Sequence, residues 1–304
     1  MLSDKFKNYL HLHFIVFVWG FTAVLGKLIT IDALPLVWYR MFWAAIFVLL
    51  FIVLRKNSLK VTRKTLFLLL GTGVVIALHW VTFFSAIKVS NVSVALATIS
   101  SGAFFAAILE PIWYKRKVIW YEIVFGLIVI GGLGLIFNIE ASYKEGIILA
   151  LISAFLATVF SLMNGKLIKE HKPSIISFYE LGAGVVFLSI YMLFQGNFTQ
   201  INFQLSTSDW MYILVLASFC TAYAFIASVK IMKFLSPYTV MLTTNLEPVY
   251  GILLAFIIFG DSEKMDPMFY LGAFIILITV IANGILKSRT EKKNQKALKK
   301  QAVI

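Results

Sequence analysis

Cysteine and charge are scarce in this sequence. One cysteine, Cys220, stands among 304 residues, so neither a disulfide framework nor a thiolate metal site can be built within the chain. Only four histidines occur, His11 and His13 lie at the start of the first apolar run, and no His-Glu-x-x-His pattern exists. An intramembrane hydrolase therefore lacks its usual ligands. A Gly-x-x-x-x-Gly-Lys-Ser/Thr loop is also missing, so energy from nucleotide hydrolysis would need a separate subunit. Charged residues make up 13% of the chain, against about 25% in soluble proteins.

Apolar side chains take the place of that charge. Hydrophobic residues account for 61% and the mean hydropathy is +0.91, more than a folded surface can hide from water, so lipid must be the solvent. The net charge of +13 would suit nucleic acid only if a folded domain presented it as a basic face. Here the cations fall between apolar runs, and no nucleic-acid partner is expected. The first apolar run is long enough to span and no small-residue cleavage site follows it, so it should be retained.

A spanning helix needs about 20 predominantly apolar residues. Ten such runs can be read: 10–29, 34–54, 65–87, 92–113, 119–137, 145–168, 174–194, 209–232, 237–259 and 268–286. Pro35, Pro173, Pro237 and Pro267 fall near the starts of four of them, where a missing N–H costs little. The runs are continuously apolar rather than alternating, which argues against a β-barrel. With the N-terminus inside and ten crossings, inner segments hold 22 basic residues and outer segments 3. That asymmetry obeys the positive-inside rule and places both termini in the cytoplasm, the membrane being the cytoplasmic one. The basic segment 287–304 reads as a solvated cytoplasmic tail or as one drawn to anionic lipid headgroups.

Sliding the chain on itself by about 145 residues pairs Lys88 with Lys233 and Thr98 with Thr243, and brings Gly126 within one position of Gly272. Each half holds five helices, an odd number, so the halves enter the membrane from opposite sides. The expected fold is an all-α integral membrane protein of ten transmembrane helices, arranged as two inverted five-helix repeats at 10–137 and 145–286. Two such halves can exchange conformations around a midplane site, the basis of alternating access. Leu-Glu-Pro also recurs, at 109–111 and 246–248, but out of that register, and reads as coincidence.

The Trp19-Gly20 pair with Lys27 further along, Arg40 early in the second helix, and the segment NLEPVYGILLAFIIFGD at 245–261 resemble the EamA family of the drug/metabolite transporter superfamily. The resemblance covers roughly 10–286. It implies two five-helix repeats and transport of small metabolites, more often outward. The chain departs from that pattern at Ala103, where a proline is common, and at Arg116, where an acid is common.

Ionisable residues inside apolar runs cost about 2.5–3.5 kcal/mol at a helix centre and are candidates for function by default. Glu247 lies near the middle of its run, Pro248 follows it, and Thr243, Thr244 and Asn245 precede it. That cluster could coordinate an amine or take up a proton, or could hold the bundle together by hydrogen bonds. Arg40, six residues into the second run, could bind a carboxylate or pair with a glutamate, or else snorkel to the headgroups. His79, near Trp80, Thr82 and Ser85, suits a proton relay or a structural hydrogen bond. Trp19, Gly20 and Thr22 suit a cavity wall or close helix packing. Glu180 sits roughly opposite Arg40 when the halves are overlaid, as its counterpart in a gate or ion pair. Lys27, closer to the interface, reads as a snorkelling cation or a member of that gate. Glu110 is expected beside Lys115 and Arg116.

These observations favour a secondary transporter of small metabolites, amino acids or related solutes among them, with no cofactor. The expected partners are a small-molecule substrate and membrane lipid, and the oligomeric state is left open, a homodimer included. The alternative is a membrane sensor or structural subunit without transport activity.

Overall fold

The structure is a computed structural model that describes residues 4–115, 117, 119–139, 141–196, 204–232, 234–235, 243–244 and 246–301. Among these residues the regular structure is entirely helical. The helices are α1 (Asp4–Leu28), α2 (Ala33–Leu54), α3 (Arg63–Val89), α4 (Val92–Ile99), α5 (Gly102–Tyr114), α6 (Trp120–Ile139), α7 (Lys144–Leu167) and α8 (Pro173–Phe194). They are followed by α9 (Thr207–Ala217), α10 (Ala224–Ile231), α11 (Glu247–Phe259) and α12 (Pro267–Gln301). Pro237 and the start of the ninth apolar run lie outside the described residues.

Among the described residues, seven helical stretches are long and apolar enough to cross a membrane, Val92–Tyr114 and Thr207–Ile231 included, and shorter apolar helices occupy Ile123–Ile136 and Pro267–Asn283. Their surface suits lipid. Leu54, Phe67, Ile112, Leu127, Phe194 and Ile257 are all exposed, a pattern that would be an aggregation liability in water.

Local chemistry sets the helix starts. Asn91 accepts the Val94 N–H at 2.8 Å, and Ser206 and Asp209 form a reciprocal capping box at the head of α9, so orphan N–H groups are satisfied where the chain enters the membrane. Pro173 occupies the first turn of α8, where it needs no N–H partner. α12 continues well beyond the expected end of the last span, through the basic segment to Gln301.

Two apolar runs that read as single helices are interrupted. The fourth breaks at Ser100–Ser101 between α4 and α5, although no proline stands there. The eighth carries a π-helical turn at Ser218–Tyr223 between α9 and α10, a device common where a helix must present side chains at a functional site.

Packing is built on small residues. α3 lies against α7 and α8, α2 against α8, α6 against α12, and α1 against α11. A Cβ on Gly20 would stand 2.9 Å from the Gly251 backbone nitrogen and 3.1 Å from the Glu247 carbonyl oxygen, so α1 and α11 touch backbone to backbone. A Cβ on Gly272 would meet the Gly132 carbonyl oxygen at 2.9 Å, joining α6 and α12 in the same way. Such contacts take the place of the hydrophobic effect where lipid is as apolar as leucine.

Candidate functional site

The π turn, the α4–α5 break and the first turn of α11 surround one cavity of about 210 Å³. Trp19, Thr22, Arg40, His79, Thr244 and Glu247 all line it. Six of the seven residues expected to bind substrate are thus brought together from five separate segments, and the seventh, Asn245, lies outside the described residues.

Arg40 is 2% exposed, and two contacts fix its side chain. Its Nε donates to Thr221 Oγ1 at 2.7 Å, and Thr221 is available because the π turn lets its hydroxyl donate in turn to the Leu216 carbonyl, five residues back, at 2.7 Å. The guanidinium carbon stands 3.9 Å from the centre of the Trp80 ring, a cation–π contact strengthened by the absence of water. Nη1 has no hydrogen-bond partner among the described residues. A buried guanidinium with a free donor is costly, and an anionic ligand atom would relieve that cost. The snorkelling alternative therefore does not apply.

Glu247 opens α11. It interacts electrostatically with Arg40, yet among the described residues it forms no ion pair or hydrogen bond. Two opposite charges thus share one cavity without neutralising each other by contact.

His79 is held by Ser153, whose hydroxyl lies 2.8 Å from Nδ1 and donates to the His79 carbonyl at 3.0 Å. The Ser153 carbonyl oxygen, an acceptor, is 3.0 Å from the same ring nitrogen, which makes Nδ1 the protonated one. This is the structural hydrogen bond anticipated for the residue, in a ring that also lines the cavity. Thr82 bonds to the Leu78 carbonyl of its own helix at 2.8 Å. Thr22, backed by the Val18 carbonyl at 3.4 Å, faces the cavity beside Cys220.

Glu180, expected as the counterpart of Arg40 in the other half, does not share its cavity. Glu180 is fully buried, outside the cavity lining, and receives the Asn164 amide at 3.3 Å. Of the two roles expected for Lys27, snorkelling and an ion pair at a gate, the structure shows an ion pair. Instead of reaching for headgroups it meets Glu263 at 2.7 Å and stands 4.4 Å from the centre of the Phe259 ring.

Sequence reasoning did not single out several lining residues. Glu110 lines the cavity rather than serving only the helix end, and Arg116 lies outside the described residues. Both copies of Leu-Glu-Pro, dismissed as coincidence, thus bring a glutamate to the same space. Asn164 and Asn283, near the ends of their runs, line it as well, as does Cys220 from the middle of the eighth run; an isolated uncharged side chain carries little signal of its own.

The cavity has an open and a closed direction. Glu110, Asn164 and Met232 fall within about a turn of the ends of α5, α7 and α10. The opposite helix ends are tied together. Glu263 accepts the Val92 and Ser93 N–H groups at 3.1 and 2.8 Å and the Ser93 hydroxyl at 2.8 Å, in addition to Lys27. Asp209 accepts both the backbone and the hydroxyl of Thr30, each at 2.7 Å, and Lys88 donates to the Ile29 carbonyl.

Fold and site together define a multi-pass helical membrane protein with a charged cavity inside the bundle. The sequence model of the EamA-like transporter family matches this chain twice, at residues 8–138 and 144–284. The chain belongs to that family, whose members are membrane transporters. It is 23% identical over 201 residues to "Uncharacterized transporter YxxF" of Bacillus subtilis (strain 168), an alignment covering 64% of this chain and 63% of that protein. It is 24% identical over 213 residues to an "Uncharacterized transporter" of Archaeoglobus fulgidus, covering 70% of this chain and 74% of the relative. A solved crystal structure superposes with a TM-score of 0.67 at 14% identity, over 94% of this chain and 99% of its own, a likeness of fold.

Proposed function

We propose that the chain is a secondary transporter that carries a small organic solute, an amino acid or related metabolite, out across the cytoplasmic membrane by alternating access. The observation that carries this reading is the placement of Arg40 and Glu247 in one buried cavity without contact between them. A solute with a carboxylate and an amine satisfies both. Its carboxylate takes the free Nη1 of Arg40 and its amine takes Glu247, while Trp19 and Trp80 bound the space between. Uncompensated charge inside lipid is costly, and a bound zwitterion removes the cost at both residues.

The reading treats 10–137 and 145–286 as inverted five-helix halves of a ten-crossing bundle, with both termini cytoplasmic. The double family match and the paired interruptions, at Ser100–Ser101 in one half and just before Glu247 in the other, support it. The cavity then faces the cytoplasm, and the Lys27–Glu263 cluster closes the outer side. Rocking of the halves would exchange these roles.

The test is flux in vesicles reconstituted with purified protein against a metabolite panel, comparing wild type with Glu247→Gln and Arg40→Ala. Each variant loses a charge-assisted hydrogen bond worth about 1.5–3 kcal/mol, so flux at subsaturating solute should fall by about 10- to 100-fold. Flux that neither change lowers would displace the site. The absence of flux for every solute in the panel would favour the sensor reading.

A further inference from the structure

Glu180 lies about two turns into α8 with no solvent exposure. Its Oε2 receives a hydrogen bond from Asn164, but among the described residues its Oε1 has no partner, and neither has Asn164 Oδ1. Two buried oxygens, one carboxylate and one amide, are therefore left without donors on a pair of side chains already in contact.

The elements around α8 do not supply a counter-charge. α8 packs against α2, α3 and α10, which bring Arg40, His79 and Lys230, and α7 brings Lys166 beside Asn164. Arg40 is engaged by Thr221 and Trp80, His79 by Ser153, and Lys166 by the rings of Trp113 and Tyr114. None of them forms an ion pair or hydrogen bond with Glu180. α3 closes the remaining side, for a Cβ on Gly73 would collide with the Glu180 backbone carbonyl.

An ionised carboxylate in such a place requires a cation. We infer that Glu180 and Asn164 form a binding site for one monovalent cation, a proton or Na⁺, exchanged with the cavity that Asn164 lines. A proton adds to Glu180 Oε1, neutralises the carboxylate and leaves to water in the cavity. A sodium ion takes Oε1 and Asn164 Oδ1, the two unpartnered oxygens, as protein ligands. Use of this site to couple solute movement to an ion gradient rests on the transporter reading; occupancy of the site does not.

The experiment uses purified full-length protein in lipid and needs no substrate. Infrared difference spectra are recorded between acidic and alkaline Na⁺-free buffers, and thermal unfolding is followed with NaCl against N-methylglucamine chloride. A proton site gives the carbonyl band of a protonated carboxyl that disappears on alkalinisation, is absent in Glu180→Gln and persists in Glu247→Gln. A sodium site gives stabilisation by NaCl that is lost in Glu180→Gln. If that variant does not fold, Asn164→Leu, which keeps the carboxylate, should displace the band or abolish the sodium effect. A wild type with neither a titrating carboxyl band nor sodium stabilisation overturns the inference. So does either signal persisting unchanged in Glu180→Gln, or in Asn164→Leu when it takes that variant's place. Failure of flux in vesicles, in contrast, bears on the transporter reading alone.

Discussion

The Lys27 ammonium lies 2.7 Å from the carboxylate of Glu263, whose side chain is wholly buried while that of Lys27 is 27% exposed. Gly260, at φ +56°, turns the chain after α11 so that Glu263 returns to the head of α4, where it also caps the Val92 and Ser93 N–H groups. One carboxylate thereby joins α1, α4 and the end of α11.

Removing that carboxylate deprives the Val92 and Ser93 N–H groups and the Ser93 hydroxyl of their acceptor, and leaves the Lys27 ammonium only its weaker bond to Ser262 Oγ at 3.2 Å. Glu263→Ala should lower stability by about 3–5 kcal/mol, the range for breaking a buried pair from one side. Glu263→Gln keeps an acceptor oxygen and should cost about 1–3 kcal/mol. Thermal unfolding in lipid or mild detergent checks both values, and equal effects would mean that the charge itself contributes nothing.

Arg40→Lys preserves the charge but not the fork. A lysine ammonium cannot lie flat over Trp80 while donating sideways to Thr221 Oγ1, because those contacts use the planar guanidinium. Flux should fall by about tenfold or more for this substitution, close to the loss in Arg40→Ala. The comparison is made at matched protein content with unfolding temperatures measured in parallel. Retention of most of the activity by lysine would show that only net charge matters at this position.

How much of this was readable in the sequence differs from residue to residue. Arg40, His79 and Glu247 stand out because an ionisable group within an apolar run is costly and marks itself as a candidate, whatever structural role it also fills. Glu263 has one. It lies in a polar turn where an acid looks solvated, and only the returning chain buries it. The partner of Lys27 is hidden for the same reason, since it lies 236 residues away. The helix interruptions were hidden differently. Ser100 and Ser101 carry no proline, and the π turn over Ser218–Tyr223 is an extra residue in a ladder, a register feature that composition does not encode. Cavity depth likewise depends on glycine contacts between helices that no single run reveals.

Gly20→Ala tests one of those contacts. The added methyl group would face backbone atoms of Gly251 and Glu247, at 2.9 and 3.1 Å, rather than the movable end of a side chain, so α11 must shift as a body. Overpacking of this kind costs about 1–3 kcal/mol, and the shift displaces the Glu247 backbone as well. Both unfolding temperature and solute affinity should decline. Gly71→Ala, where nothing lies within 4 Å of the added carbon, serves as the control and should be neutral.

Cys220 provides a direct probe of which face of the cavity is open. It is the chain's single cysteine, lines the cavity beside Thr221 and is 1% exposed, so any thiol modification reports on that space without engineered residues. In this conformation the cavity reaches toward the ends of α5, α7 and α10, while the opposite ends are closed by Glu263 and Asp209. With the topology proposed above, a small, charged, membrane-impermeant thiol reagent should label Cys220 from the cytoplasmic face of oriented vesicles and much more slowly from the other face, with Cys220→Ser unlabelled from either. Glu263→Gln should raise labelling from the outer face, because loss of the Lys27 pair weakens the closure on that side. Solute that occupies the space between Arg40 and Glu247 should protect the thiol. Equal labelling from both faces in wild type would mean that the Lys27–Glu263 cluster does not close the outer side.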